Sequence, residues 1–306
     1  WGSVPAGYTF LTMGSHPAGD YSPVATCYNF ASDATLLTGS AAVLPASDTL
    51  NFFIGFTVRG PWVQTVEGDV YSGTTITTSI PGSVVPQTFT RPGAGGSEGV
   101  VTAGTTMTIS PSPSWAVTGE PYIMQNLYAT YYPRLKAGGT EALTSQSITS
   151  LANSGTEDTT VYTATGSVTV DAPITIPAGD KVIVLIDGTL TINNTVQLGS
   201  VDSFVAFIVN GNITVDPVVS GTEASPALNG VYIAGNGGTA IFNTGTGANR
   251  LVGKGMFIAD TFTLARDVGA SNTTTPSELF IFDPALLFSM PNVMNDLPYT
   301  WQEVAP

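Results

Sequence analysis

Charge is the scarcest ingredient of this chain. Only 10% of its 306 residues are Asp, Glu, Lys or Arg, against roughly 25% in ordinary soluble domains. Basic residues are the fewest, eight against 22 acids, for a formal net charge of −14. A phosphate backbone or an anionic bilayer would be repelled, which argues against both as partners. The eight (Arg59, Arg91, Arg134, Lys136, Lys181, Arg250, Lys254 and Arg266) are scattered and form no sequence cluster. Histidine and cysteine occur once each, as His16 and Cys27. No intrachain disulfide is then possible, and the usual zinc and transition-metal sites lack ligands. Cys27 reads as a small buried hydrophobe, with an intermolecular disulfide or a reactive thiol as the alternatives. A Ser-His-Asp triad would have to use His16, which sits in the loop-like Gly14-Ser15-His16-Pro17 without a Gly-x-Ser-x-Gly elbow. No run of ~18 apolar residues occurs, so no transmembrane helix is expected. The opening at Trp1 reads as a processed product whose signal or anchor lay upstream.

Apolar and small residues fill the space that charge leaves. Hydrophobic residues are 42% of the chain, with 34 Gly and 21 Pro. The surface must be built from Thr, Ser, Asn and Gly, and part of it is expected to bury against neighbours. Thr, Val and Ile in short alternating runs, punctuated by Gly, Pro and Asn, predict many short strands, for example over 51–58, 72–80 and 100–109. The best helix candidate is 122–132, where Ile123, Leu127 and Tyr131 fall four apart and Pro133 would end it. A second, weaker candidate is 141–151. The spacing predicts an all-β chain in three parts. Residues 1–120 form a β-sandwich-like domain with core aromatics around Tyr8, Tyr28, Phe52 and Trp62. Residues 121–160 form a linker with a short helix, and 161–306 a short right-handed parallel β-helix with a C-terminal capping tail.

The β-helix rests on a repeat. The run 182–192 carries Asp187-Gly188 after an apolar stretch, and 204–215 carries Asn210-Gly211 in the same place, 23 residues on. The pattern returns at 231–236 and 256–264, with Ala234 and Ala259 25 residues apart. One coil of a parallel β-helix takes on the order of 20–25 residues, and coils stack through main-chain hydrogen bonds. Asp, Asn and Gly suit the corners because they tolerate left-handed backbone angles. A hairpin is the competing reading of Asp-Gly and Asn-Gly, but it does not explain a fixed step.

β-Helices often carry polysaccharide lyases and hydrolases, whose chemistry needs clustered Asp for calcium, a strong base, or paired carboxylates at a set separation. The acids of the second half stand mostly at turns, where Asp is a corner residue. Asp187 and Asp260 are placed to share one edge, while Lys181 and Arg266 are remote from them in sequence. No catalytic or cofactor-binding residue is assigned. Structural calcium is compatible with turn aspartates, although no Asp-x-Asp-x-Asp-Gly loop occurs. Sequons at Asn193, Asn212 and Asn272 are compatible with export.

Two stretches carry a resemblance. Pro61-Trp62-Val63-Gln64-Thr65-Val66-Glu67-Gly68-Asp69-Val70-Tyr71-Ser72 resembles a segment of large exported proteins of candidate-phylum bacteria. Leu279-Phe280-Ile281-Phe282-Asp283-Pro284-Ala285-Leu286-Leu287, with Pro291 and Tyr299-Thr300-Trp301-Gln302-Glu303-Val304, resembles the close of bacterial β-helical surface proteins linked to type IV pilus assembly. The resemblance implies a β-helix and a surface-associated role, and carries over no functional site. Trp1-Gly2-Ser3-Val4-Pro5 departs from the long apolar helix that opens a pilin. On this reading Phe282-Asp283-Pro284 leaves the last coil and the tail caps its open end. Unpaired coil edges then invite head-to-tail assembly, and Trp1, Tyr8, Phe10, Phe282 and Trp301 are the candidate assembly residues. The expected function is a non-enzymatic extracellular subunit of a filament or surface layer, its main partner being itself. A glycan- or surface-binding module using Trp115, Tyr131 and Tyr132 is the alternative, and a polysaccharide-degrading enzyme the third reading.

Overall fold

In the computed structural model the described residues are 60–93, 98–119, 126–155 and 158–295, together with the backbone of β1 (Tyr8–Thr9) and β2 (Phe56–Thr57), which pair antiparallel. The first block holds β3 (Val63–Val66), β4 (Val70–Ser72), β5 (Thr75–Ser79) and β6 (Thr90–Arg91). The second holds β7 (Val101–Ala103), β8 (Thr106–Ser110) and β9 (Ala116–Thr118). Helix α1 (Leu127–Ala137) leads through β10 (Glu141–Ala142) and β11 (Ser147–Ile148) to the long strand β12 (Thr160–Val170). Then follow β13 (Ile174–Ile176), β14 (Lys181–Ile192), β15 (Val196–Leu198), β16 (Phe204–Val209), β17 (Ile213–Val215) and β18 (Leu228–Ala234). The chain ends in β19 (Ile241–Asn243), β20 (Leu251–Ala259), β21 (Thr261–Thr263), β22 (Glu278–Ile281), α2 (Ala285–Ser289) and α3 (Asn292–Asn295). The protein is nearly all β, with 11% helix, and its strands stack as a parallel solenoid of about nine turns.

The repeat seen in the sequence is the coil. Thr160 pairs with Val182, Lys181 with Phe204, Ala206 with Val231, Leu228 with Gly253 and Leu251 with Glu278, which are steps of 22, 23, 25, 25 and 27 residues. Ala234 stands opposite Ala259, as their spacing implied. Asp-Gly does not reverse the chain: β14 continues through Asp187-Gly188, and its neighbours are all parallel. That excludes the hairpin. Asn210 Nδ2 donates to Asp187 Oδ1 at 2.9 Å, so the corner side chains stitch one coil to the next. Glycine follows at the corner because the space is already filled: a β-carbon on Gly188 would lie 2.0 Å from the Gly166 carbonyl oxygen, and one on Gly211 2.4 Å from that of Gly188.

Inward side chains form the columns of the core. Phe207, Tyr232 and Phe257 stack at ring separations of 5.6 and 5.2 Å, and Phe280 meets Phe257 edge-on at 4.9 Å. The Tyr232 hydroxyl, wholly buried, donates to the Asn229 carbonyl at 3.1 Å. The apolar runs around Val182–Ile186 and β16 are unbroken because this sheet is covered on both faces. Val182, Val184 and Ile186 point into the coil, while Ile183 and Leu185 point out against the helices. Along another face the outward column is Ser147, Thr169, Thr191, Thr214, Asn243 and Thr263, in register. Short hydroxyl and amide side chains thus provide a solvent face without charge.

The first coils sit beyond the last ones. β22 pairs in parallel with β3, Glu278 opposite Val63, and β3 pairs with β6. Parallel pairings also join β4, β7 and β9, and β5 with β8. The β-sandwich expected of the N-terminal part finds no support in these strands. Alternating Thr and Val with Gly and Pro turns is common to sandwich strands and solenoid coils, and the distinction lies in remote partners that local sequence does not name. Trp62 is in the core here, with Ile80, Phe89, Val101 and Ile109, and its indole N–H donates to the Asn272 carbonyl at 2.7 Å.

This arrangement obliges the chain to travel back along the outside of the solenoid before starting at its far end, and α1 makes part of that journey. Asn126 caps it, accepting from the Ala129 N–H at 2.8 Å, and the Tyr128 N–H reaches the Gly235 carbonyl beyond β18. Arg134 and Lys136 lie in its last turn, where cations complement the helix dipole. The helix starts later than 122 and runs through Pro133 rather than stopping before it. An interior proline costs a helix ~3 kcal/mol, but Tyr128 and Leu135 on either side of it are buried against the sheet and hold the path. The weaker helix candidate at 141–151 instead contributes β10 and β11, which pair with β12. The chain does leave the last coil at Phe282-Asp283-Pro284. β3 lies on the last coil, and the described part of the tail packs Leu286, Met290 and Met294 on the outer face beside α1; residues 296–306 of the expected cap lie outside the described residues.

Candidate functional site

The acids of the second half are corner pieces. Continuing the strand registers places Asp187, Asn210, Gly235 and Asp260 in one column. Asp187 and Asp260 thus share an edge, three strand steps or about 14 Å apart, beyond the ~5–9.5 Å of paired glycosidase carboxylates. Asp260 Oδ2 accepts from the backbone N–H groups of Asn236, Gly238 and Ala240 at 3.3, 2.9 and 2.9 Å. Asp171, on the surface, accepts from Ser147 Oγ, Thr169 Oγ1 and Asn193 Nδ2 at 2.5, 2.6 and 2.8 Å. These hydrogen bonds, that of Ser147 first, hold its carboxyl below the usual range. Among the described residues no three His, Cys, Asp or Glu gather as metal ligands.

Two clusters that the sequence showed only as scattered cations are assembled by the fold. Arg266, fully buried, is a clamp: Nε donates to the Thr244 carbonyl at 2.6 Å, Nη1 to those of Pro217, Val219 and Asn249 at 3.0, 2.8 and 3.0 Å, and Nη2 to that of Asp216 at 2.9 Å. Glu278 beside it is buried too, and accepts from the Arg266 N–H at 2.8 Å and Thr244 Oγ1 at 3.0 Å. Burial is the main cause raising the Glu278 carboxyl above its ordinary value. The second cluster lies where the first coils meet the last. A cavity of about 390 Å³ is lined by Gln64, Ser83, Arg91, Glu223, Arg250 and Thr274, among others. Arg91 Nη2 pairs with Glu223 Oε1.

The candidate assembly residues are only partly in view. Trp1, Phe10 and Trp301 lie outside the described residues, as do His16 and Cys27, and of Tyr8 the structure describes the backbone, opposite Thr57. Phe282 is half-buried; its N–H donates to the Val66 carbonyl at 3.0 Å, which sets it against the N-terminal coil. Of the aromatics considered for surface binding, Trp115 is 68% exposed. Tyr131 and Tyr132 pack partly on the α1 layer, Tyr132 stacking on Tyr128 at 5.2 Å with Lys136 Nζ over its ring. Of the three sequons, Asn272 is fully buried, its Nδ2 donating to Asp267 Oδ1 at 2.6 Å, and so is closed to modification once folded.

Exposed apolar side chains occur on the N-terminal coils (Tyr71, Val85, Val100, Trp115 and Val117) and also on the corners and C-terminal helices, Phe288 among them. Among the described residues β9, exposed along its length, and β8 are edge strands of the N-terminal coils. At the opposite end the edges are the short β10 and β11. Among the described residues no helix is long and apolar enough to cross a membrane. No family model, curated protein or solved structure matches the chain.

Proposed function

We propose that this protein is a non-enzymatic structural subunit of an extracellular or cell-surface assembly, built by head-to-tail stacking of its solenoid, whose coils wind right-handed as parallel crossovers prefer. The observation that carries it is the pair of unlike ends. Among the described residues β8 and β9 offer unpaired parallel edges with exposed Trp115 and Val117, while β10 and β11 offer the complementary edge at the other end of the solenoid. Unpaired edges are templates for another chain, and a heterologous contact that does not close repeats into a filament. The uncharged Thr, Ser and Asn surface and the resemblance to exported β-helical surface proteins favour the same reading. Electron microscopy and light scattering on the full chain test it. Filaments or ordered arrays are expected, lost when Thr118→Pro removes an outward-facing N–H from the β9 edge. Monodisperse monomers at the highest attainable concentration would overturn it.

A further inference from the structure

The cavity at the coil junction draws on segments far apart in the chain. Gln64, Ser83 and Arg91 come from the N-terminal coils, Glu223 and Arg250 from the corners beside β18 and β20, and Thr274 and Thr275 from the turn before β22. Its volume falls within the ~300–1,000 Å³ of small-ligand sites. Its charge does not balance: two guanidinium groups face one carboxylate, in a chain with 22 acids and eight bases. The Nε of Arg91 and the Nε of Arg250 are both buried and have no hydrogen-bond partner. Buried donors are normally satisfied, so each orphan calls for an acceptor. Burial makes the Arg250 guanidinium hold its proton less firmly than usual; Glu223 opposes this, and the charge of Arg91 adds a smaller push in the same direction as burial. An added anion would offset the excess positive charge of the two guanidinium groups.

We propose that Arg91 and Arg250 receive the oxyanion group of a small polyhydroxylated ligand, the carboxylate or sulfate of an acidic sugar. Guanidinium presents a planar fork of donors that matches two oxygens of such a group. Ser83, Thr274 and Thr275 line the same space with hydroxyl-bearing side chains suited to ring hydroxyls. Glu223 is the internal competitor, holding Arg91 until the ligand arrives.

Isothermal titration of the full chain with sodium glucuronate, sodium sulfate and glucose tests this. At least one of the two anions binds about tenfold or more tightly than glucose. Tighter glucuronate assigns a carboxylate-bearing sugar, and tighter sulfate a sulfated one. Arg250→Gln weakens that binding about tenfold or more, and Arg250→Lys, which keeps the charge but not the fork, weakens it less. Glu223→Gln tightens it severalfold by freeing Arg91, an effect that a purely structural ion pair would not produce. If Arg250→Gln fails to fold, the Lys and Glu223→Gln variants decide. Absence of binding by either anion at about 20 mM, glucose binding equally well, or an unchanged or weaker Glu223→Gln variant overturns the proposal.

Discussion

Replacing Arg266 by Met keeps most of the volume of the side chain and removes its donors. Five carbonyl acceptors, on Asp216, Pro217, Val219, Thr244 and Asn249, then lose their hydrogen bonds in the interior. Glu278 loses the nearest cation that favours its charged form. Each buried acceptor left unsatisfied costs about 1–3 kcal/mol, so the loss should reach about 3–5 kcal/mol even if water reaches some of them, a large share of the ~5–15 kcal/mol that holds a folded protein. At roughly 2–4 °C per kcal/mol the melting temperature should drop by about 6–20 °C, measured by calorimetry. The loss should also depend on pH. Glu278 has a raised pKa in the fold, so the folded state binds more protons than the unfolded one as pH climbs from the unfolded to the folded value, and stability falls across that window. Without Arg266 the folded pKa rises further and the window widens. The variant should therefore lose least near about pH 4 and most near about pH 7. A loss under about 1 kcal/mol, the worth of one ordinary hydrogen bond, or one that shrinks as pH rises, would refute the clamp.

Three further outcomes follow from the packing. Gly255→Ala places a β-carbon 1.9 Å from the Gly230 carbonyl oxygen at φ +144°, whereas Gly238→Ala has the same φ and no atom within 4 Å. Chemical denaturation should show about 1–3 kcal/mol of backbone strain for Gly238→Ala and clearly more for Gly255→Ala; equal losses would deny the close stacking. Leu135→Ala in α1, buried against the sheet, should cost about 2–5 kcal/mol in the same assay, and a neutral result would mean the helix is not docked. The Asp171 carboxyl should titrate by NMR below the usual range, and Asn193→Ala should raise its midpoint. With a depressed pKa, its favourable interactions persist above the unfolded value and are lost as pH falls through the folded one.

Much of the solenoid was legible because it is written in near neighbours. Asp187-Gly188 and Asn210-Gly211 mark one corner in successive coils, and the step between them is the coil length. The departure from the last coil at Asp283-Pro284 was legible for a similar reason, since Pro ends a strand locally. What escaped depends on partners remote in sequence. Nothing in Val63–Val66 says that it will lie beside Glu278, 215 positions away, and the same strand pattern suits a sandwich. Pro133 looked like a helix end because the burial of Leu135 beyond it is a tertiary effect. Arg91 and Arg250 looked solitary because they stand 159 positions apart, and only the stacking of first coils on last brings both to one cavity. The assembly residues nearest the termini, Trp1, Phe10 and Trp301, fall outside the described residues.

The seating of β3 on β22 also orders events in time. During synthesis the strand at residues 63–66 emerges about 215 positions before the one it rests on. At ~5–20 residues per second that is a wait of roughly 10–40 s. The middle of the chain is the part that can wind up first, coil upon coil, and the segment made earliest is the last to find its platform.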